Sequence, residues 1–279
     1  YSYMCILKYL LFCCVICISC SHASLHQKQL MHALDFSAAN SKELEKVLKH
    51  YEHDSLKLEA AKFLIRNMPH CYSYQQGGEM DSVKRVRTYY SPFGQIDQTY
   101  ARRWGHYTYR NLLKIYDAHI ITAEYLIDNI DRAFDNWQKR PWNRSLSFED
   151  FCEYLLPYRI GDEPLEEWRE LYEKKYGYLL DSIYKGSDVV EAANLVSKHL
   201  QEPVFIYCED FELPHIGPRY LFSHRYGSCV DAADIVTYAF RAVGIPCMED
   251  TDARGGHVWN VVRDTTGRDV PIWLSLIHI

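Results

Sequence analysis

The sequence is poor in the features that would assign it quickly. Lys and Arg never cluster along its 279 residues, and a formal net charge of −6 leaves no basic stripe for nucleic acid. No CxxC pair occurs and no carboxylate–histidine group has ligand spacing, so neither a zinc site nor any other metal or cofactor is expected. No repeat of fixed period is found, which excludes a solenoid. The one long apolar run, Tyr9 to Ile18, is about half of what a membrane-spanning helix needs.

What is present is ordinary in bulk. A chain 48% hydrophobic and 24% charged can bury one large core or two smaller ones. The 23 tyrosines serve helix packing or a groove for sugars or peptides. The apolar run follows Lys8 and closes on Ile18-Ser19-Cys20, the order of an export signal. Its end resembles a bacterial lipobox, with Cys17 where Leu is usual, so Cys20 is the expected lipidation site. Residues 1–20 are read as a signal, and the protein as exported to the cell envelope, an outer-membrane lipoprotein held by a lipid anchor. Five cysteines remain outside it: Cys71, Cys152, Cys208, Cys229 and Cys247. An odd number in an exported protein leaves at least one free thiol.

From about 25 to 200 the pattern is helical. Asn40 with Glu43 reads as a capping box, and Leu44, Val47, Leu48 and Tyr51 form one apolar face behind it. Ser55 starts a second helix that Pro69 stops; 75–82 is a loop; a long helix covers Asp117 to Gln138; Ser147 caps the next. "YRIGDEP" is a polar connection. In "LPYRIGDEPLEEWR", Tyr158, Arg159 and Trp168 either line a substrate groove or pack a capped loop. After Leu200 short strands are expected at "PVFIYCED", "PCMEDT", "HVWNVVRD" and "RDVPIW", with Gly267 turning the last pair. The fold class is α+β: a helical region, 21–200, then a core, 201–273, of one helix packed on an antiparallel sheet.

The helix of that core carries the chemistry. Ala232, Ala233, Val236, Ala239, Phe240 and Val243 recur at helical spacing, Gly244 supplies the exit and Pro246 forbids continuation. Cys229 therefore stands in the first turn, beside backbone N–H groups without helical partners, where a helix start favours thiolate over thiol. In "GGHVWNVV", a period of two sets His257, Trp259 and Val261 on one face of a strand. A helix-start thiol with a strand-borne imidazole is the arrangement for acyl transfer.

The series Gly227, Cys229, Arg241, Ala242, Gly244, Ile245, Pro246, His257, Trp259 resembles the transglutaminase-like family, a branch of the papain-like cysteine-nucleophile fold. Upstream, "FLIRNMPHCYSY" and "SFEDFCEYLLPYRIGDEPLEEWR" are similar to the helical region of such proteins from gut Bacteroidetes. The resemblance implies Cys229 as nucleophile, His257 as base, and an Asp on the following strand, about fifteen residues past the histidine. That position falls at or just past Trp273. Asp269 is the local substitute. The last six residues, "LSLIHI", translate CTG-TCT-CTT-ATA-CAC-ATC, which resembles a transposon end used to tag DNA, so 274–279 is expected to be non-native and the core cut short.

The oxyanion donors would be the Cys229 amide with an upstream group such as Tyr226 or Arg225, and Trp259 would flank the substrate. The expected function is thiol-dependent acyl transfer on amide bonds, as peptidase, amidase or glutamine transferase. Its substrates would be peptides, glycopeptides or cell-wall stems. The alternative is an inactive transglutaminase-like module that binds glycans or a protein partner.

Overall fold

The computed structural model describes residues 25–90, 112–202, 205–207, 214–254 and 256–272. The expected signal with Cys20, the tail 274–279 and Cys208 lie outside the described residues. Ten helices are used below: α1 25–36, α2 Ser41–His50, α3 Ser55–Asn67, α4 Gly78–Tyr90, α5 Ala123–Lys139, α6 Phe148–Tyr154, α7 Arg169–Tyr178, α8 Val189–Leu200, α9 Pro218–Ser223 and α10 Cys229–Val243. The strands are β1 Tyr72–Tyr74, β2 Lys114–Tyr116, β3 Ile206–Tyr207, β4 Tyr226–Gly227, β5 Cys247–Thr251, β6 Val258–Arg263 and β7 Asp269–Ile272. β1–β2 and β5–β6–β7 are antiparallel, whereas the short β3–β4 pair is parallel. Helices beside small sheets make the class α+β. No helix among the described residues is long and apolar enough to cross a membrane.

Two hydrophobic cores follow from the sequence periodicity. In the first, Leu44 and Val47 of α2 and Tyr51 just after it pack with Ala61, Leu64 and Ile65 of α3, Ile130 and Phe134 of α5, and Phe151 of α6. The second gathers α7, α8, β6 and β7 around α10. Helices α7 and α8, which precede residue 200, thus share a core with Cys229's helix. Every residue of α10 from Asp231 to Val243 is buried. A helix covered on all sides is a core helix, and its polar members must find partners.

The exit of α10 is as the sequence predicts. Gly244 takes φ +83°, which a side chain tolerates poorly, and the Ile245 N–H returns to the Phe240 carbonyl at 2.9 Å. The last carbonyls of α10 have no helical donors of their own. Four side chains from residues 136–143 supply them: Asn136 Nδ2 to Ala242 O (3.1 Å), Arg140 Nε to Val243 O (2.8 Å), and Trp142 Nε1 and Asn143 Nδ2 to Gly244 O (2.9 and 3.0 Å). These bonds stitch the two cores together.

Several local expectations change. Asn40 makes no side-chain cap; its Nδ2 reaches the Ala118 and Ile121 carbonyls, and Glu43 accepts from the Ala123 N–H. Asp54, not Ser55, caps α3 by accepting from the Lys57 N–H. The loop at 75–82 ends at Gly77, and α4 begins at Gly78. The long helix starts at Ala123, capped by Thr122, and Asp117–His119 form a separate 3-10 turn that ends where Ile120 leaves the helical region (φ −132°). Ser147 caps α6 through the Asp150 N–H, as expected.

Candidate functional site

Cys229 is the first residue of α10. The Asp231 carboxylate turns back to the start of the helix and accepts from the Ser228 N–H (2.9 Å) and hydroxyl (3.2 Å). The amides of Cys229 and Val230 belong to the first turn and have no intrahelical acceptor. The Cys229 sulfur is half-buried and makes no hydrogen bond or ion pair among the described residues. Three other thiols are pushed up, chiefly by burial: Cys71 to about 11, Cys152 and Cys247 to about 12.

Strand β6 fixes what stands near that helix start. Asn260 is buried against α10, and its Nδ2 donates to the Ala233 carbonyl (3.0 Å) and to Thr237 Oγ1 (2.8 Å). Further along the pair, Cys247 sits opposite Val262, and its carbonyl accepts from Arg241 Nε (3.1 Å). The strand and the helix therefore run in the same direction. His257, three residues before Asn260, comes at the same end as Cys229, four residues before Ala233. The face is a different matter. Alternation puts Trp259 on the side of β6 opposite Asn260, and the His257 ring lies 6.1 Å from the Trp259 ring. The period-two pairing of His257 with Trp259 is present, on the face turned from α10.

The other predicted residues are dispersed. Asp269 pairs with Arg263 at the far end of β6, six residues or roughly 20 Å from His257. Its carboxylate accepts from the Tyr154 hydroxyl (2.9 Å) and meets Arg263 Nη1 (3.2 Å), so it is not brought to the imidazole. Tyr226 is fully buried in β4, away from any open surface, whereas Trp259 is half-buried. Tyr158 and Arg159 are buried too: Tyr158 donates to Asp117 (3.0 Å), and Arg159 pairs with the same carboxylate through Nε (2.6 Å). Trp168, only 3% exposed, donates to the Tyr158 carbonyl and forms part of the wall of a groove of about 670 Å³ between α5 and α7. Packing thus accounts for Tyr158 and Arg159.

A cluster that the sequence reading missed lies on the next face of α10. Asp234 is fully buried in mid-helix and accepts from His215 Nδ1 at 2.9 and 3.0 Å. The His215 ring rests against Gly161, where a side chain would collide with Nε2, and its backbone N–H donates to Asp162 (2.9 Å). Glu249 on β5 bonds Asp234 and accepts from Thr237 Oγ1 (3.2 Å). Burial pulls the imidazole down, but the charge and hydrogen bond of Asp234 prevail and hold it at about 11. Burial and the Asp234 charge push Glu249 well above the usual carboxylate range, so it keeps its proton. Burial also raises Asp234 itself, against the pull of His215. The signal was an aspartate inside "AADIV", which a helix buried all round cannot leave unpartnered.

No protein-family profile, curated protein or solved structure matches this chain. Among the described residues no group of three or more His, Cys, Asp or Glu could hold a metal ion.

Proposed function

We propose that the chain carries a transglutaminase-like core and performs thiol-dependent acyl transfer on amide bonds at the cell envelope, with Cys229 as nucleophile and His257 as acid–base. The substrates are peptides, glycopeptides or cell-wall stems. The observation that carries the reading is the Asn260 clamp, which holds β6 on α10 so that both residues stand at one end of the helix–strand contact. In the first step the His257 ring swings from the Trp259 side of β6 to the helix start and takes the thiol proton as the Cys229 sulfur bonds to the amide carbon. The oxyanion meets the unpartnered amides of the first turn. The C–N bond then breaks, the amine leaves with the proton from His257, and water or a second amine resolves the thioester.

A non-catalytic binding module is the second reading, favoured by the His257 ring's place beside Trp259. One experiment separates the two. A peptide-amide substrate library is incubated with wild type and Cys229→Ala, and thioester adducts are trapped and mapped by mass spectrometry. Acyl transfer requires an adduct on Cys229 that vanishes in the variant while the thermal midpoint is kept. Absence of any adduct at wild-type Cys229 favours the binding module.

A further inference from the structure

Among the helices of the first core, α1 and the last turn of α3 line a cleft of about 250 Å³. Its lining is Lys28, Gln29 and His32 from α1, and Arg66, Asn67, Pro69 and His70 from the end of α3 and the turn after it. Each hydrogen-bonding side chain there can donate, and none is an acid. That is unexpected in a chain with a net charge of −6. Several cations elsewhere are paired: Lys46 and Lys62 with glutamates, Arg132 with Asp128, Arg140 with Asp181. Lys28 and Arg66 form no ion pair among the described residues; the Arg66 guanidinium only lies 5.0 Å from the Phe63 ring.

The cleft is also held in shape. The His32 ring stacks on Phe36 (6.4 Å, 18°), which stacks in turn on His119 (5.0 Å, 25°). The negative end of α3 is blunted, because Asn67 Nδ2 covers the Phe63 carbonyl (2.9 Å) and the Cys71 N–H covers that of Met68 (2.8 Å). Two uncompensated cations flanked by imidazoles and amides form a receptor for tetrahedral oxyanions.

We infer that this cleft binds a phosphate group, carried either by a soluble ligand or by a phospholipid headgroup. The inference is independent of the chemistry at Cys229. The test uses the full chain, and thermal unfolding is followed with inorganic phosphate or chloride at constant ionic strength. Vesicles of phosphatidylglycerol or phosphatidylcholine are used in a parallel co-sedimentation arm. Phosphate, not chloride, should raise the midpoint, or phosphatidylglycerol vesicles should carry the protein down. The double variant Lys28→Gln/Arg66→Gln should weaken that response at least about tenfold. Lys46→Gln/Lys139→Gln, which removes the same charge at residues outside the cleft, should keep it. A phosphate response assigns the soluble source, and a vesicle response without one assigns the headgroup. If Lys28→Gln/Arg66→Gln, with an unchanged far-UV spectrum, responds like wild type in both arms, or if neither arm responds in wild type, the inference is overturned.

Discussion

Replacing Asp234 by Asn removes one charge from the middle of α10 and keeps its shape. In the wild type His215 holds its proton up to about 11, against an ordinary value of 6.5. The folded chain thus retains a proton that the unfolded chain releases. The resulting stability is complete below about pH 6.5 and declines as pH rises toward about 11, at about 1.4 kcal/mol per pH unit in between. Glu249, also raised, adds a decline of the same sign above its ordinary value of 4.5. In Asp234→Asn the main upward pull on the imidazole is gone and burial opposes only the weaker charges of Glu163 and Glu249, so its value falls back toward the ordinary one or below it and its share of the slope shrinks. Stripping one partner from a buried pair costs about 3 kcal/mol at neutral pH, the hydrogen bond of Asn keeping the loss at the low end of the usual range. Urea unfolding followed by tryptophan fluorescence, between about pH 6 and pH 9, measures both quantities. A flat wild-type profile, or a variant whose slope matches the wild type, would refute this account of the cluster.

Three further outcomes are expected. Brief iodoacetamide treatment near neutral pH should alkylate Cys229 before Cys71, Cys152 and Cys247, whose thiols burial pushes up; peptide mapping that finds any of these three ahead of Cys229 contradicts the ordering. Gly244→Ala places a Cβ 2.8 Å from the Asn136 carbonyl and from Arg140 Cγ at a positive φ, so thermal unfolding should show a loss of about 2–3 kcal/mol. Asp269→Asn should leave kcat/KM within about twofold of wild type, because the side chain serves Tyr154 and Arg263; a thousandfold loss would return it to the catalytic group.

What could be read from the sequence was local. Helix α10, its exit at Gly244 and the meander β5–β7 follow from periodicities and turn residues that lie within a few positions of one another. The Ser147 cap is of the same kind. Asn40 misled because its side chain has two competing sets of partners, and the carbonyls of Ala118 and Ile121, some eighty residues away, win. The polar string "YRIGDEP" reads only as a connection for a similar reason. Arg159 is neutralised by Asp117, 42 positions earlier, and no window of sequence holds both. His215 and Asp234 are 19 residues apart across a short helix and a strand, and only the fold brings them into contact. Cys229 and His257 reach the same end of the core as spacing suggests, while the face on which the imidazole sits depends on strand alternation set by Asn260.

The stitching of residues 136–143 onto the final carbonyls of α10 has a consequence for how this protein can be taken apart. A fragment beginning near residue 200 would have to leave the backbone oxygens of Ala242, Val243 and Gly244 bare in an apolar setting, and would forfeit α7 and α8 besides. The half bearing the thiol is therefore no portable cassette. Its expression and engineering are tied to the helices that come before it.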